Sequence, residues 1–446
     1  MTTFITAIIL FAITYVLLFA LPKFRAYVAL GSAVIFSVWL TFFCPEIAFG
    51  ISDVIGGIDF NVLMMIAGTM GIVSLFIESK MPMRIADVLL SKFKNVKTAI
   101  VAMAILAGVV SAFVDNVATV LMIAPIALAV CKKQNMSPVS PIIAIAISSN
   151  LQGAATLVGD TTSILLGGYA DMTFFDFFVF KGRPGIFWAV ELGAAITALI
   201  LLWIFRKETE PLSLKDKTEV TDYVPSTLMI SVIALLICAS FIPEPTQEGA
   251  LLTLYNLRNG IICMTLLVIG IIINICKTKT FSAPKLVLAE MDYQTLLLLA
   301  SLFVVIQGIT SAGVIQKLAD FLAGLGGGNI FLMYTIIVFA SVLISAFVDN
   351  IPYVLTMLPV VEGVAIAIAP GNEIAKLLLF FGLLIGSTLG GNITPIGASA
   401  NITGIGILRK EGYEVKASDF MKISVPFTLT AVLSGYLFIW LFWGLI

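Results

Sequence analysis

The sequence predicts an all-α polytopic membrane protein made of two inverted repeats, with about ten transmembrane helices and two re-entrant helical hairpins. Its 446 residues are 60% hydrophobic and 11% charged, whereas a soluble domain carries roughly 25% charged residues. Apolar runs of about 18 or more residues recur along the chain, unlike the short alternating segments of a β-barrel. The phrase SAFVDNVATVLMIAP at 111–125 returns as SAFVDNIPYVLTMLP at 345–359, which indicates an internal repeat.

Twelve apolar segments follow one another along the chain. The first lacks a basic n-region and is long enough to span, so we interpret it as a mature helix rather than a cleaved signal peptide. Two amphipathic pieces, 82–93 and 283–291, are typical of helices at the membrane interface. The apolar segments are 4–21, 27–43, 61–77, 98–131, 139–170, 186–205, 226–242, 259–276, 294–312, 328–368, 374–407 and 423–446.

The chain divides into two copies of one unit. Between 111–130 and 345–364, at an offset of 234, ten of twenty residues are identical. Downstream, SNLQGAATLVGDTTS (149–163) aligns with STLGGNITPIGASAN (387–401) at an offset of 238. A polar stretch, RKETEPLSLKDKTEVTDY, lies near the middle of the chain. The predicted units are a first repeat at 1–206, a cytoplasmic linker at 207–225 and a second repeat at 226–446.

The placement of basic residues predicts that the two repeats are inverted. Lysine and arginine follow the first and third segments, so both loops are cytoplasmic by the positive-inside rule. Basic residues flank 98–131 on both sides, so this segment enters the membrane and returns as a hairpin with Asp115-Asn116 at its tip. Five crossings then precede the linker, so the second hairpin, 328–368, enters from the outside. Lys181 and Arg183 fall on the outer side and are exceptions to the rule.

Two further segments, 139–170 and 374–407, are predicted to be broken helices. Inverted repeats with helices broken near the midplane are typical of secondary transporters, because unpaired backbone groups are tolerated only where they line a cavity or bind something. Half-helix N-termini favour an anion, while carbonyl, carboxylate, amide and hydroxyl oxygens can hold a sodium ion or a proton. The predicted interruptions are 114–119, 150–163, 348–353 and 390–401.

Acidic side chains inside the apolar segments are rare and indicate functional sites. Asp115 and Asp349 could each serve only as the N-cap of a hairpin arm, a position that favours aspartate. A capping carboxylate that also binds an ion should hold sodium rather than a proton, because accepted N–H bonds favour its charged form. Asp160 has Ala398 as its repeat counterpart, and this asymmetric acid is our candidate for proton coupling. The acids that we interpret as structural or interfacial are Glu191 and Glu362.

Composition argues against several other classes of function. The net charge of −1 argues against a nucleic-acid partner. The five cysteines are scattered and the chain has no histidine, so a zinc or haem site and a histidine proton relay are not expected. We expect no cofactor beyond Na⁺ or H⁺ as a coupling ion. The expected location is a prokaryotic inner membrane, where the chain is multi-pass and contacts lipid.

The repeated motifs resemble those of the ion transporter superfamily, in the branch of the melanosomal P protein, the ArsB/NhaD-type permeases and citrate-transporter-like domains. The first-half pattern of that branch, LSAF-DN-T--L---P with GGTATLIGDPPN, is similar to SAFVDNVATVLMIAP and QGAATLVGDTTS here. Its second-half pattern, SAFVDNIPYTATMIPV with LGGNGTLIGASANV, is similar to SAFVDNIPYVLTMLPV and LGGNITPIGASANI. In one departure, Thr161-Thr162-Ser163 stands where the family has Pro-Pro-Asn, so hydroxyl groups replace a rigid break.

The resemblance implies a homodimer in which a mobile transport domain moves against a scaffold domain in an elevator-like shift. It also implies one half-site from each repeat, with possible sodium ligands at Asp115, Asn116, Asp349 and Asn350. Substrates across the superfamily include arsenite, carboxylates, sulfate and sodium. The first half-site would comprise Asp115, Asn116, Thr119, Asn150, Gly159, Asp160, Thr161, Thr162 and Ser163. The second would comprise Asp349, Asn350, Thr394, Gly397, Ser399 and Asn401.

Three classes of function compete. An intramembrane aspartyl protease would require glycine at position 157 for its G-x-G-D motif, but the residue is Leu157. A channel is disfavoured, because two inverted half-sites favour alternating access over a continuous pore. We therefore predict a non-enzymatic, proton- or sodium-coupled secondary transporter for a small anion or arsenite-like oxyacid, with a Na⁺/H⁺ antiporter of the NhaD type as the alternative.

Overall fold

The computed structural model describes residues 2–211, 218–246 and 249–445, and these residues are almost entirely helical. Ten of the described helices are long and apolar enough to cross a membrane, and two of them, Asn116–Lys133 and Asn350–Ile368, are the second arms of the predicted hairpins. Their apolar side chains face both the protein interior and the outside of the bundle, because a bilayer lets a helix stay hydrophobic all round. The chain is therefore a multi-pass integral membrane protein.

The described residues of the first half form ten α-helices and one short antiparallel ribbon. Short 3-10 turns occur at Pro22–Phe24, Pro45–Ile47 and Phe175–Phe177. The helices are α1 Thr2–Ala20, α2 Arg25–Phe43, α3 Ile51–Gly56, α4 Phe60–Glu78, α5 Met81–Leu90, α6 Val96–Ser111, α7 Asn116–Lys133, α8 Val139–Gly153, α9 Thr161–Tyr169 and α10 Ile186–Ile204. The ribbon pairs β1 Val179–Phe180 with β2 Arg183–Pro184.

The second half follows the same plan, with eleven α-helices in its described part. Its last helix continues as a π-helical turn at Trp440–Gly444. The helices are α11 Val224–Ala239, α12 Ala250–Asn256, α13 Arg258–Thr278, α14 Ser282–Glu290, α15 Tyr293–Ser311, α16 Val314–Gly326, α17 Ile330–Ser345, α18 Asn350–Ile368, α19 Glu373–Gly390, α20 Ser399–Lys410 and α21 Ala417–Ile439.

The helix contacts show the two-fold relation between the halves. Helix α2 packs against α15 and its counterpart α13 packs against α4; α6 packs against α8 as α17 does against α19; and α10 packs against α21. Each pairing therefore has an equivalent in the other half. We call α1–α5 with α11–α16 the scaffold group, and α6–α10 with α17–α21 the transport group.

Both hairpins and both broken helices form, but their interruptions are shorter than predicted. The hairpin tips are 112–115 and 346–349, and the breaks are 154–160 and 391–398. The predicted tips extended too far along the chain, because Asp115 and Asp349 cap the following helices and Asn116 and Asn350 are already helical. A capping aspartate thus marks the end of each tip rather than its middle.

One substantial element is absent from the sequence-based prediction. Helix α16, Val314–Gly326, precedes the second hairpin and meets α17 at a bend of 117°. It is the repeat counterpart of α5, which was predicted as an interfacial piece. Its lysine and aspartate interrupt the apolar run, so a search for continuous hydrophobic segments does not detect it.

Ion pairs join loops that the sequence places on the same side of the membrane. Lys132 pairs with Glu411 at 2.5 Å and Lys277 with Asp222 at 2.9 Å, all in loops or helix ends predicted to be cytoplasmic. Of the two basic exceptions to the charge rule, Lys181 lies 3.7 Å from Glu373 at the start of α19. The other, the guanidinium of Arg183, donates to the Phe442 carbonyl at 2.8 Å.

The linker is docked on the rest of the protein at both of its described ends. The Val96 and Lys97 N–H groups donate to the Glu210 and Glu208 carbonyls at 3.0 and 2.8 Å. At the other end, the Thr221 N–H donates to the Ser79 carbonyl at 3.1 Å. The middle of the predicted linker, 212–217, lies outside the described residues.

Candidate functional site

The two Asp-Asn phrases form helix caps in different surroundings. Asp115 accepts the N–H groups of Val117 and Ala118 at 3.0 and 3.1 Å. Asp349 accepts the Ile351 N–H at 3.1 Å. The capping role considered from sequence is therefore real in both halves, since the first N–H groups of a helix have no partner within the helix.

Of the two aspartates, Asp349 forms an ion pair with a basic side chain of the described chain, and Asp115 does not. The Arg25 guanidinium, at the start of α2, donates to its carboxylate at 2.8 Å, and the Ser399 hydroxyl lies at 3.4 Å. Asp349 is buried and Arg25 is mostly so. A sodium ion at Asp349 would therefore compete with a guanidinium in this conformation, whereas Asp115 has no ion-pair partner among the described residues.

Backbone close approach ties each break to its neighbouring hairpin tip. A Cβ at Gly159 would lie 2.5–2.8 Å from the carbonyl oxygens of Gly153, Ser111 and Ala112. A Cβ at Gly397 would lie 2.6–2.9 Å from the equivalent oxygens of Gly391, Ala346 and Ser345. Only glycine allows this contact, so the sequence-predicted roles of these two glycines are structural ones at the edge of the site.

In each half, a buried threonine also connects the break to the hairpin tip, and we call this contact the joint. The Thr156 hydroxyl donates to the Ala112 carbonyl, and the Thr394 hydroxyl donates to the Ala346 carbonyl. Each hydroxyl oxygen in turn lies 3.4 Å from an N–H two residues later. Thr394, predicted as a site residue, is thus engaged in holding the break.

Replacing Thr394 by valine should destabilise the protein by about 1–2 kcal/mol, because a buried carbonyl loses its donor. Thr156→Val should have a similar effect, since its contacts are the same. Denaturant unfolding in detergent measures both. The control is Thr403→Val, whose half-buried hydroxyl donates to the Ser399 carbonyl of its own helix. Unchanged stability in both joint variants would contradict this role.

An amide network joins the two halves at the centre. The Asn116 amide donates to the Asn150 carbonyl oxygen at 2.9 Å, and the Asn150 amide donates to the Thr388 carbonyl and to Asn392 Oδ1 at 2.8 and 3.1 Å. Asn392 donates back to the Ile147 carbonyl at 3.0 Å. All three asparagines are buried. Asn392 was missed from sequence, although it lies inside the quoted LGGNITPIGASAN motif.

The hydroxyls and amides beyond the two breaks fall into two sets. Asp160 accepts the Thr162 hydroxyl at 2.7 Å, and that hydroxyl lies 3.0 Å from the Thr388 hydroxyl. By contrast, the Ser163 hydroxyl donates to the Gly153 carbonyl at the end of α8, and the Asn401 amide donates to two carbonyls of its own break. The Thr119 hydroxyl donates to the Val114 carbonyl within its hairpin. The second set supports the backbone rather than facing open space.

A cavity of about 300 Å³ lies between the two helix groups. Four helices begin in its wall, at Asn116 (α7), Thr161 (α9), Asn350 (α18) and Ser399 (α20). No side chain caps the starts of α9 and α20. Among the described residues of the wall there are five carboxylates and neither lysine nor arginine. The carboxylates are Glu78, Asp115, Asp160, Glu290 and Asp292.

The cavity contains part of the predicted site together with residues that the sequence did not indicate. The predicted residues in its wall are Asp115, Asn116, Gly159, Asp160, Thr161, Asn350 and Ser399. The predicted residues outside its wall are Thr119, Asn150, Thr162, Ser163, Asp349, Thr394, Gly397 and Asn401. The polar scaffold residues that were missed are Thr69, Ser74, Glu78, Glu290, Asp292 and Thr295; those at segment ends were indistinguishable from ordinary boundary residues.

Comparison with known proteins identifies the family. A family model described as a citrate transporter matches residues 8–381. The 46 kDa membrane protein of Mycobacterium leprae is 29% identical over 444 residues, covering 98% of both chains. An uncharacterised transporter of Mycobacterium tuberculosis is 29% identical over 388 residues, covering 86% of each. The P protein of Homo sapiens is 25% identical over 454 residues, covering 86% of this chain and 54% of that protein.

Solved structures show the same fold at low sequence identity. The YdaH transporter of Alcanivorax borkumensis has a TM-score of 0.59 at 14% identity, covering 95% of this chain and 98% of that one. MtrF of Neisseria gonorrhoeae, described as representing a class of antimetabolite efflux pumps, has a TM-score of 0.56 at 12% identity, covering 89% and 83%. The resemblance seen in the repeated motifs is thus confirmed, and the chain belongs to the citrate transporter family of membrane transporters.

Proposed function

We propose that this transporter is an ion-coupled secondary active transporter, driven by H⁺ or Na⁺, that moves a small anion or arsenite-like oxyacid by elevator-type alternating access. The observation that carries the proposal is the composition of the central cavity. Its wall is built from both hairpins, both broken helices and the scaffold group. Such convergence of interrupted helices from inverted repeats is the arrangement of secondary transporters.

The charge of the cavity supports coupling to a cation. Five carboxylates without a basic residue in the described wall repel an anion. A sodium ion or proton bound at Asp115 or Asp160 would remove part of that repulsion. The uncapped starts of α9 and α20 then offer N–H groups and partial positive charge to an anionic or uncharged oxyacid. Cation binding would thus strengthen anion binding, and by thermodynamic linkage anion binding would strengthen cation binding by the same factor.

The elevator element of the proposal is supported by the two helix groups. The transport group contains both hairpins and both broken helices, while the scaffold group supplies the continuous α4 and α15 that face the cavity. Movement of one group along the other would carry the cavity across the membrane without dismantling the buried amide network. The homodimer implied by the resemblance remains a prediction.

A Na⁺/H⁺ antiporter of the NhaD type is the second candidate. The specific observation in its favour is the same all-acidic wall, which suits cations alone. Flux in reconstituted liposomes, with and without a sodium gradient, separates the two functions. Uptake of an added anion that requires the gradient supports the permease. Sodium movement coupled to protons with no added anion supports the antiporter.

Asp160→Asn should abolish the pH dependence of transport. Asp160 is buried, accepts one side-chain hydrogen bond and has no ion-pair partner among the described residues. A bound proton would neutralise its charge, and asparagine cannot bind that proton. The measurement is liposome flux across a pH series. The control is Glu191→Gln, an acid on α10 outside the central cavity, where the parent profile should persist. A parental profile in Asp160→Asn would contradict the proton role.

A further inference from the structure

The two hairpin tips are identical in sequence at Ser-Ala-Phe-Val-Asp-Asn but are held differently by the scaffold. The tip of the second hairpin is bound, because Arg25 of α2 pairs with Asp349 at 2.8 Å. Tyr15 of α1 adds a hydrogen bond to the Pro352 carbonyl at 2.8 Å. The first tip faces the cavity, and within the described ranges Asp115 has no ion-pair partner.

The same asymmetry continues along the second arms of the hairpins. Leu121 and Leu355 are equivalent residues, 234 positions apart, on α7 and α18. Leu121 is 49% exposed and lines the cavity, whereas Leu355 is 4% exposed. The difference in exposure therefore shows that the interface between the transport and scaffold groups is open at the first hairpin and closed at the second.

The broken helices show which half is closed. A Cβ at Gly168, near the end of α9, would lie 2.7 Å from Val62 of α4 and 2.8 Å from Asp59, the N-cap of α4. At the equivalent position of α20, Gly406, a Cβ would meet nothing within 4 Å. The transport group is thus packed against α4 in one half and separated from α15 in the other. By the predicted sidedness, the open half faces the cytoplasm.

The inverted repeat supplies a second arginine for the exposed tip. Arg25 begins α2, and Arg258, 233 residues later, begins the equivalent helix α13. Arg258 lies 3.8 Å from the centre of the Tyr255 ring, and its guanidinium donates to the Tyr255 carbonyl at 2.8 Å. Its Nε is buried without a hydrogen-bond partner. In the described part of the chain, Arg258 has no ion-pair partner.

We propose that Arg25 and Arg258 are the two positioning residues of alternating access, each pairing with one hairpin tip in one access state. The pair Arg25–Asp349 stabilises the state seen in this structure. In the opposite state, the equivalent pair Arg258–Asp115 replaces it. There α20 packs against α15 at Gly406, as α9 packs against α4 at Gly168 in the present state. This proposal rests on the alternating access of the proposed function.

The exchange also determines which tip carboxylate can bind a cation. An aspartate paired with arginine is already neutralised, and a second cation there would be repelled. Asp115 is consequently the available tip in the present state, and Asp349 becomes available in the opposite one. Each state thus keeps one tip carboxylate paired with arginine and presents the other to the cavity.

Cysteine labelling tests the exchange without knowledge of the substrate. Leu121→Cys and Leu355→Cys are each placed in a background where the exposed Cys238 and Cys276 are serine. A membrane-impermeant maleimide is applied to inside-out vesicles for the first reporter and to right-side-out vesicles for the second. Labelling of the cysteine at 121 measures the present state, and labelling at 355 measures the opposite one.

Arg25→Ala should lower labelling at 121 and raise it at 355, and Arg258→Ala should do the reverse. The expected change in the ratio of states is on the order of tenfold, because in one of the two states a tip carboxylate loses the arginine that pairs with it. Size-exclusion profiles establish folding. The charge-exchanged variant Arg258→Asp with Asp115→Arg should restore the labelling pattern that Arg258→Ala loses. Shifts of both alanine variants in the same direction, or failure of the exchange, would overturn the proposal.

Gly406→Leu provides a steric test that leaves both arginines intact. The leucine fits the present state, where Gly406 is unopposed, but should block closure on α15. Labelling at 355 should therefore be lost while labelling at 121 is retained. The matched control is Gly31→Leu, at an equally open glycine of α2, which should label at both reporters as the parent does. Retention of labelling at 355 in Gly406→Leu would contradict the proposed closure.

The reporters also separate this inference from the proposed function. If the cysteine at 355 is never labelled in folded, otherwise unaltered protein, alternating access itself fails. If it is labelled but Arg258→Ala leaves its fraction unchanged, the arginine exchange fails and alternating access stands.

Discussion

Replacing Asp115 by asparagine should reduce ion-coupled transport by on the order of 10- to 100-fold without loss of folding. Asparagine caps a helix about as well as aspartate, so the substitution removes the negative charge and keeps the two backbone hydrogen bonds. The charge lost is one that no described cation neutralises, and it lines the cavity. Liposome flux and direct binding of sodium measure the effect.

The equivalent change at Asp349 should act differently. Asp349→Asn leaves Arg25 partly buried without its carboxylate, so stability should fall as well as flux. Asp53→Asn is a suitable control, because the Asp53 carboxylate accepts the Gly50 N–H at the short helix α3 and lies outside the cavity wall. If both tip variants kept parental flux and ion binding, the assignment of the tips to the site would be wrong.

Gly159→Ala and Gly397→Ala should each destabilise the protein by about 3 kcal/mol or more. The added Cβ would lie within 3 Å of three backbone carbonyl oxygens, and backbone cannot retreat as a flexible side chain can. Both substitutions should have similar effects, since the two joints are equivalent. Unfolding in detergent, or the yield of monodisperse protein, provides the measurement.

Gly406→Ala is the matched control for the glycine prediction. It has open surroundings, and alanine favours a helix interior over glycine by up to about 1 kcal/mol. Stability should therefore be equal or higher. Parental stability in Gly159→Ala would show that the break can move away from the hairpin tip, contrary to a rigid joint.

Local sequence patterns were sufficient to predict most of the transmembrane architecture. Hydrophobic length determines which segments can span, and a duplicated phrase reveals equivalent elements at any distance along the chain. Helix α16 was missed because its amphipathic pattern contains charges. The predicted hairpin tips lie too far towards the C-terminus, because the Asp-Asn sequence is compatible both with a turn and with the start of a helix. The backbone conformation shows that it starts the helix.

The site was predictable only in part, for a reason seen in particular residues. Asp115 and Asp160 were identified because they are acids inside apolar segments, and Ser399 because the family resemblance implies it. Glu78 and Asp292 lie at segment ends, where acidic residues are common on solvated surfaces, so nothing local connects them with the cavity. Their contribution depends on contacts between the two halves, which the linear pattern does not contain.

The sequence by itself determined that two copies of one unit cross the membrane in opposite directions, because hydrophobic length, charge position and repetition are local properties. Only the tertiary structure decided how the copies differ. Arg25 pairs with Asp349, while Asp115 remains without such a partner among the described residues, although the two tips read alike. That difference arises from the position of one helix group relative to the other. Position along such an interface is set by packing between distant segments and can change with the access state.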